Sequence, residues 1–311
     1  MASALNTLAG LIQFNDANND DINVSDLLDD APLLQVLFAK AASNGTLHKY
    51  LKQTVASGNA FRAANSGLTK TYSQDEQITD TLKILDGSFS VDKALADAYT
   101  GGPAAYVQKE LMRTMKERLF NLEEQVINGV NADAAGFIGL QDDAQLDAIA
   151  DAMVIAAATA GASADVQSSV YLLRGGDDDV AVIMGNDGNL VVSDTSVTPI
   201  YDSASALTTY SGYYTGVEGY AGFQIGGAFS AGRICNVETA LTDDDIYNAL
   251  ALFPAARQPN LIVMNRASLK LLRASRTATN QTGAPAPRPT EVEGIQIVVS
   301  DAVTQTEAVV S

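Results

Sequence analysis

Tryptophan is absent from the chain, and cysteine and histidine occur once each, as Cys235 and His48. A single cysteine gives no intramolecular disulfide framework, which fits a reducing compartment. A zinc centre needs three or four Cys, His or acidic ligands at close spacing, and one His with one Cys does not supply them. Nucleophilic catalysis through a Ser–His or Cys–His pair would have to run through His48, yet His48 sits in GTLHKY and the chain has no nucleophile elbow. His48 therefore reads as a partly exposed structural histidine. Basic residues are scarce as well, 19 Lys and Arg against 37 Asp and Glu, for a net charge of −18. A sequence-specific reader of nucleic acid normally shows a basic face, so that class is disfavoured. The most apolar window, AMVIAAATAGA at 152–162, falls far short of the ~20 residues a membrane span needs. The opening MASALNTLAGLIQFNDANNDD carries no basic region before its apolar part and is a poor signal peptide. The expectation is a soluble, cytoplasmic protein without membrane partners.

What is present is ample material for a core. Hydrophobic residues make up 47% of 311, aromatics only 6%, so the interior is built from small and aliphatic side chains. The most regular stretch is AAYVQKELMRTMKERLFNLEEQVING at 104–129, where Val107, Leu111, Met115, Leu119, Leu122 and Val126 recur at spacings of three and four. That spacing predicts a helix over 103–128 with one apolar stripe, Pro103 in its first turn and Gly129 as its C-cap. Before it, VSDLLDDAPLLQVLFAKA reads as a short helix capped by Ser25 or Asp26 and broken or restarted by Pro32. Residues 46–56 are ambiguous between helix and strand. Residues 60–93 read as a long two-stranded excursion, polar on both faces, and such a hairpin is marginal alone in water. Residues 142–160 read as a second, Ala-rich helix. From 166 the texture turns to strands with Gly turns. DDDIYNALALF after Thr242, and the Asn265-capped helix NRASLKLLRASR, interrupt them; a Pro/Thr-rich loop at 277–290 and a last strand at 294–301 follow.

The chemical motifs are weak. Asp16, Asn18 and Asp20 match the first ligand positions of a calcium loop, but position six is Asp21 and position twelve is Leu27, which breaks the pattern. Asp177–Asp179 follows two glycines as a turn, and Asp243–Asp245 suits the positive end of a helix dipole. GFQIGGAFSAGR at 222–233 lacks the register of a phosphate loop and reads as two strands, or one with a bulge. No enzyme activity, metal or cofactor is expected. On the long helix Lys109, Arg113 and Lys116 share a face. That face is either a solvated, salt-bridged surface or a basic strip turned to a polyanion or a neighbouring subunit. An arm, a polar excursion and a long rod beside a β-rich body point to assembly, because the first two parts have too little core of their own.

With these parts in order, the chain resembles the major capsid proteins of tailed double-stranded-DNA phages, the Hong Kong 97-type fold, over about 24–303. The resemblance rests on AFRAANSG at 60–67, NGVNADAAGFIGL at 128–140, SVYLLRG at 169–175, FQIGGAFSAGRICNVE at 223–238 and the long run from LIVMNRASLKLLRASR through GAPAP to GIQIVVSDAV at 303. It implies an α+β protein with an N-terminal arm (1–53) and an extended β-hairpin loop (54–94). A peripheral domain with a long spine helix (95–140) and a mainly axial domain (141–311) would follow. How 205–238 divides between those two domains is left open. It implies a structural protein assembling as pentamers and hexamers into an icosahedral head around double-stranded DNA, held non-specifically. Partners would be further copies of the chain, with scaffold, portal and decoration proteins as additional candidates; the location would be the virion capsid, and the host cytoplasm during assembly. The arm begins at once, so a separate scaffold or none is expected. Lys70 and Lys83 lie where some members cross-link, without an identifiable partner asparagine. The alternative on the same fold is an encapsulin-like nanocompartment shell.

Overall fold

The computed structural model describes residues 8, 13–14, 27–55, 58, 61–67, 72–157, 163, 165–201, 208–280 and 284–311. Asp16, Asn18 and Asp20, the caps expected at Ser25 and Asp26, and Lys70 lie outside the described residues. In chain order the elements are β1 (Gln13–Phe14), α1 (Pro32–Val36), β2 (Ala39–Ala41), β3 (Leu47–Val55), β4 (Gln74–Thr81), β5 (Lys83–Asp86), β6 (Phe89–Asp92), α2 (Lys93–Asp97) and α3 (Gly102–Asn128). Then come β7 (Val154–Ala156), β8 (Ser168–Leu173), β9 (Val180–Met184), β10 (Asn189–Val192), β11 (Ser196–Tyr201), β12 (Thr209–Thr215), β13 (Val217–Ile225) and β14 (Ala231–Val237). Last are α4 (Asp243–Leu250), β15 (Leu261–Met264), α5 (Arg266–Thr279), β16 (Glu291–Val292) and β17 (Ile295–Val299).

Helix α3 forms where its periodicity places it. Pro103 stands in its first turn, and Gly129 ends it with φ +55°, a conformation costly for any residue with a Cβ. A Cβ at Gly129 would also lie 2.6 Å from the Gly139 amide nitrogen, so the turn after the helix closes only over glycine. The rod is about 40 Å long at ~1.5 Å per residue. Its whole predicted stripe, Val107 to Val126, is buried. It packs on β5 and β6, with Gly87 lying against Met115.

Two six-stranded sheets carry the body. One runs β1-β10-β13-β9-β2, with β5 also pairing β13; the other runs β16-β17-β15-β8-β14-β7. Strands β8, β9, β14 and β15 are buried at every residue; β9 and β15 are continuous apolar runs, as expected of strands covered on both faces, while β8 and β14 also bury Ser168, Ser169, Arg233 and Asn236. The glycine-rich 222–233 run is neither a phosphate loop nor one bulged strand: it ends β13 in the first sheet and opens β14 in the second. One hydrophobic core runs through α1, α3 and both sheets. Strand β11, which the alternation did not reveal, pairs with β12, and β12 with β6, in a third, partly exposed sheet.

Three expectations change. The segment 46–56 is strand, paired antiparallel with β4 from Leu47↔Thr81 to Val55↔Gln74. The excursion is therefore 47–81 rather than 60–93, and residues 47–53, assigned to the arm, form one rail of it. Its far limit is Leu82, buried with Ala181 and Ile183, after which β5 and β6 join the body. The Ala-rich helix over 142–160 does not form among the described residues. Asp143 accepts the Gln145 N–H at 2.9 Å and Asp151 accepts the Ala148 N–H at 3.0 Å, and these local bonds hold the chain in turns. Val154–Ala156 then adds to the edge of β14, so tertiary strand pairing overrides alanine's helix propensity.

Candidate assembly surfaces and their buried anchors

The hairpin β3–β4 projects three large apolar side chains into solvent. Leu51 is 69% exposed, Phe61 94% and Tyr72 73%. Along β4 only Ile78 and Asp80 are partly covered. The root of the hairpin is rigid by contrast. His48 is 4% exposed, which corrects the expectation of a partly exposed histidine. Its Nδ1 accepts the Ser43 N–H at 3.3 Å, its Nε2 lies 2.8 Å from Gln224 Oε1, and its ring stacks on Tyr50. That arrangement suits the neutral ring with the proton on Nε2. Burial holds the His48 pKa below its ordinary value, with the Gln224 bond opposing. Gln224 in turn donates to the Asp177 carbonyl at 3.1 Å, and Lys40 pairs with the Asp177 carboxylate at 3.0 Å. Asp179 binds Arg174 at 3.0 Å and Ser230 at 2.8 Å. The acidic turn 177–179 thus braces the hairpin root and the β14 entry.

The basic face of α3 is largely answered by its own chain. Lys109 Nζ lies 5.7 Å from the Tyr99 ring centroid, and Arg113 pairs with Glu110 at 2.7 Å. Lys116 is half-buried in a cleft of about 730 Å³ that Arg113 and Arg266 share with Asp29, Asp30, Glu117 and Asp301. The helix keeps Lys109, Arg113 and Lys116 at one-turn spacing, but acids surround them.

Two buried ionic anchors escaped the sequence reading. Glu123 is fully buried. One oxygen accepts the Leu33 and Leu34 N–H groups of α1 at 2.9 and 3.2 Å; the other bonds the Ser300 hydroxyl. Burial pushes its pKa up to about 7, against the pull of Ser300, Leu34 and Leu33. It ties α1, α3 and the segment just after β17 into one knot. The signal was there: Glu123 follows Leu119 by four and precedes Val126 by three, an acid on the apolar stripe. The second anchor is Arg233 of β14, paired with Glu307 at 2.9 Å with both side chains 1% exposed. Arg233 also donates to Ser169 Oγ and the Leu146 carbonyl, each at 2.9 Å. Burial raises the Glu307 pKa, and Arg233 opposes this. A lone arginine in the strand AGRICNV, just before Ile234 and Cys235, was its signal. Cys235, two residues on, is buried and free. Among the described residues no cluster of three His, Cys, Asp or Glu side chains could hold a metal ion, and no helix is long and apolar enough to cross a membrane.

Residues 16–311 match the family of the major capsid protein GP7. The chain belongs to this family of major capsid proteins. The structure of bacteriophage epsilon15 is similar, with a TM-score of 0.62 at 20% identity over 88% of each chain. The capsid of bacteriophage JBD30 decorated with minor capsid protein trimers is similar at 0.52 and 13%, over 98% of this chain and 99% of that one. The SrpI encapsulin complex of Synechococcus elongatus PCC 7942 reaches only 0.46 at 11%, over 68% and 89%. No curated protein matches by sequence. The phage structures establish the α+β, Hong Kong 97-type fold expected from the order of motifs. As a major capsid protein the chain is a structural shell component of tailed phages, and its expected self-association is the common property of such shells.

Proposed function

We propose that this major capsid protein assembles as pentamers and hexamers into the icosahedral head that encloses phage double-stranded DNA, in the host cytoplasm and then in the virion. The observation that carries the proposal is the hairpin: Leu51, Phe61 and Tyr72 stand in solvent on a polar two-stranded ribbon. A ribbon without a core gains its burial only on a second surface. We assign residues 1–46 to an arm, 47–81 to the extended hairpin loop and α3 to the spine of a peripheral domain. The β8-containing sheet forms the axial domain, and β12–β13 lead back to the peripheral side. Scaffold, portal and decoration proteins are further partners on this reading.

The basic strip is read as facing a neighbour rather than DNA. Its field is offset by Glu110, Glu117, Asp29 and Asp30, and a net charge of −18 keeps a packaged duplex mobile instead of binding it. Contacts of Lys109, Arg113 and Lys116 with DNA would be weak, salt-labile and sequence-independent. Sub-micromolar DNA binding by purified subunits at physiological salt would overturn this. The main test is negative-stain microscopy of the expressed protein. Closed shells are expected from the full chain, and folded subunits without shells after residues 58–72 are replaced by a short Gly-Ser linker. Loss of soluble, folded subunit on that replacement would contradict the excursion reading, and shells filled with a cellular cargo protein would point to a nanocompartment.

A further inference from the structure

The C-terminal end of α3 opens on a cleft of about 530 Å³. Three carboxylates line it, Glu124, Asp165 and Glu307, together with Asn128, Thr304 and Thr306; no Lys or Arg is among its lining residues. Acids alone would say little. Two of the lining side chains, however, are more than nine-tenths buried, each with one atom hydrogen-bonded and one oxygen left without a partner. Asn128 is 5% exposed; its Nδ2 donates to the Ala302 carbonyl at 2.8 Å, while its Oδ1 has no partner. Glu307 is 3% exposed; its Oε2 accepts from Arg233 and Ser169 at 2.9 and 2.5 Å, while its Oε1 has no partner. Buried oxygen acceptors are nearly always matched by a donor, so two such oxygens on residues that line one cleft call for one. Glu124, half-buried, has no ion-pair partner among the described residues, and burial raises its pKa.

The chemistry of the donor follows. Acceptors without donors, flanked by carboxylates, select a group that is cationic and rich in N–H. A bare metal ion does not suit the spacing, since no three acidic, His or Cys side chains converge among the described residues. A guanidinium or ammonium carries several N–H donors and can reach oxygens that are further apart. We infer that this cleft receives the Arg or Lys side chain of a second copy of this chain. The choice of a second copy rests on the shell reading above. Chains that each carry a charge of −18 repel one another, and a basic side chain seated in an acidic cleft converts that repulsion into a matched contact at the boundary between subunits.

The test uses full-length protein and the double variant Glu124→Gln/Asp165→Asn, which removes two carboxylates at nearly constant size and leaves the Arg233–Glu307 pair intact. Circular dichroism confirms the fold. In the first arm, unassembled subunits are titrated with methylguanidinium chloride against equal sodium chloride and followed by saturation-transfer NMR. Saturable binding is expected for the wild type and about fivefold weaker binding for the variant, the upper scale of an exposed charge contact. Absence of saturable binding, or equal binding by both proteins, overturns the cation site. In the second arm, light scattering reads the concentration at which particles form. That threshold is expected to rise about tenfold in the variant, as for the loss of a partly buried charge pair. Binding of the probe with an unchanged threshold overturns the second copy as the occupant. Wild-type protein that forms no particles defeats the shell reading instead, and the first arm still decides the cleft.

Discussion

Strands β4 and β8 belong to one chain and live in opposite environments. On β4 most side chains face water on both sides, and its partner β3 is held to it by a backbone ladder. On β8 every residue is buried, and the strand is flanked by β14 and β15. The difference divides the molecule by what holds it. The β8 sheet draws its stability from apolar burial and from the Arg233–Glu307 pair, all inside one chain. The hairpin draws on hydrogen bonds and on its braced root at His48, and leaves its apolar tip uncovered. Changes in the first region should therefore be read as loss of fold, and changes in the second as loss of association.

The largest effect is expected inside the β8 sheet. Arg233→Met strands Glu307 as an unpaired buried acid and should cost about 3–5 kcal/mol in urea unfolding of the subunit. The double variant Arg233→Met/Glu307→Leu should recover much of that loss. An Arg233→Met protein as stable as the wild type would remove the anchor from the comparison. Next comes the knot between α1 and α3. Glu123→Leu leaves the Leu33 N–H and the Ser300 hydroxyl without an acceptor, and Leu34 with the Ala31 carbonyl alone; it should cost about 2–4 kcal/mol, while Glu123→Gln, which keeps an accepting oxygen, should cost less than about 1.5 kcal/mol.

A pH series separates the anchors further. The folded chain holds the Glu123 proton more tightly than the unfolded chain between pH 4.5 and about 7. Stability through this group is therefore full below pH 4.5 and is lost as pH rises through 7. His48 acts in the other sense. Its pKa is lowered on folding, so acidification below 6.5 protonates the unfolded chain first and removes stability. The stability difference between wild type and Glu123→Gln, measured from pH 4 to 8, should shift against the wild type as pH rises; a flat difference would rule Glu123 out as a titrating anchor. The smallest effect on folding should come from the hairpin tip. Phe61→Ser/Tyr72→Ser should leave unfolding within about 0.5 kcal/mol of the wild type. The same variant should lower particle yield in sedimentation, and an unchanged yield would sever the tip from assembly.

Much of this architecture is legible without coordinates. The stripe Val107–Val126, the Gly129 cap, the Thr242 and Asn265 caps and the runs at 169–173 and 261–264 are where local pattern and tertiary burial agree. Glu123 and Arg233 were missed because each is one charged residue in an apolar pattern, and periodicity averages over it. The 142–160 helix was misread because alanine propensity is weak beside an open sheet edge that accepts Val154–Ala156. The boundary of the hairpin was misread because a strand rich in Lys, Thr and Gln has no pattern until its partner is known.

By itself the sequence determined the rod, the caps, the buried strands, the acidic charge and the capsid-family order of motifs, since each depends on spacing or composition within a short stretch. Only the tertiary structure decided that β3 pairs with β4, that β13 and β14 part into different sheets, and that Glu123, Arg233 and the unpartnered oxygens of Asn128 and Glu307 stand where they do. Those depend on residues distant in the chain, from the Leu47↔Thr81 pair of the β3–β4 ladder to Glu123 with Leu33 or Arg233 with Glu307. Contacts of that range form only when burial of a common core brings distant stretches of the chain together, and no local pattern records them.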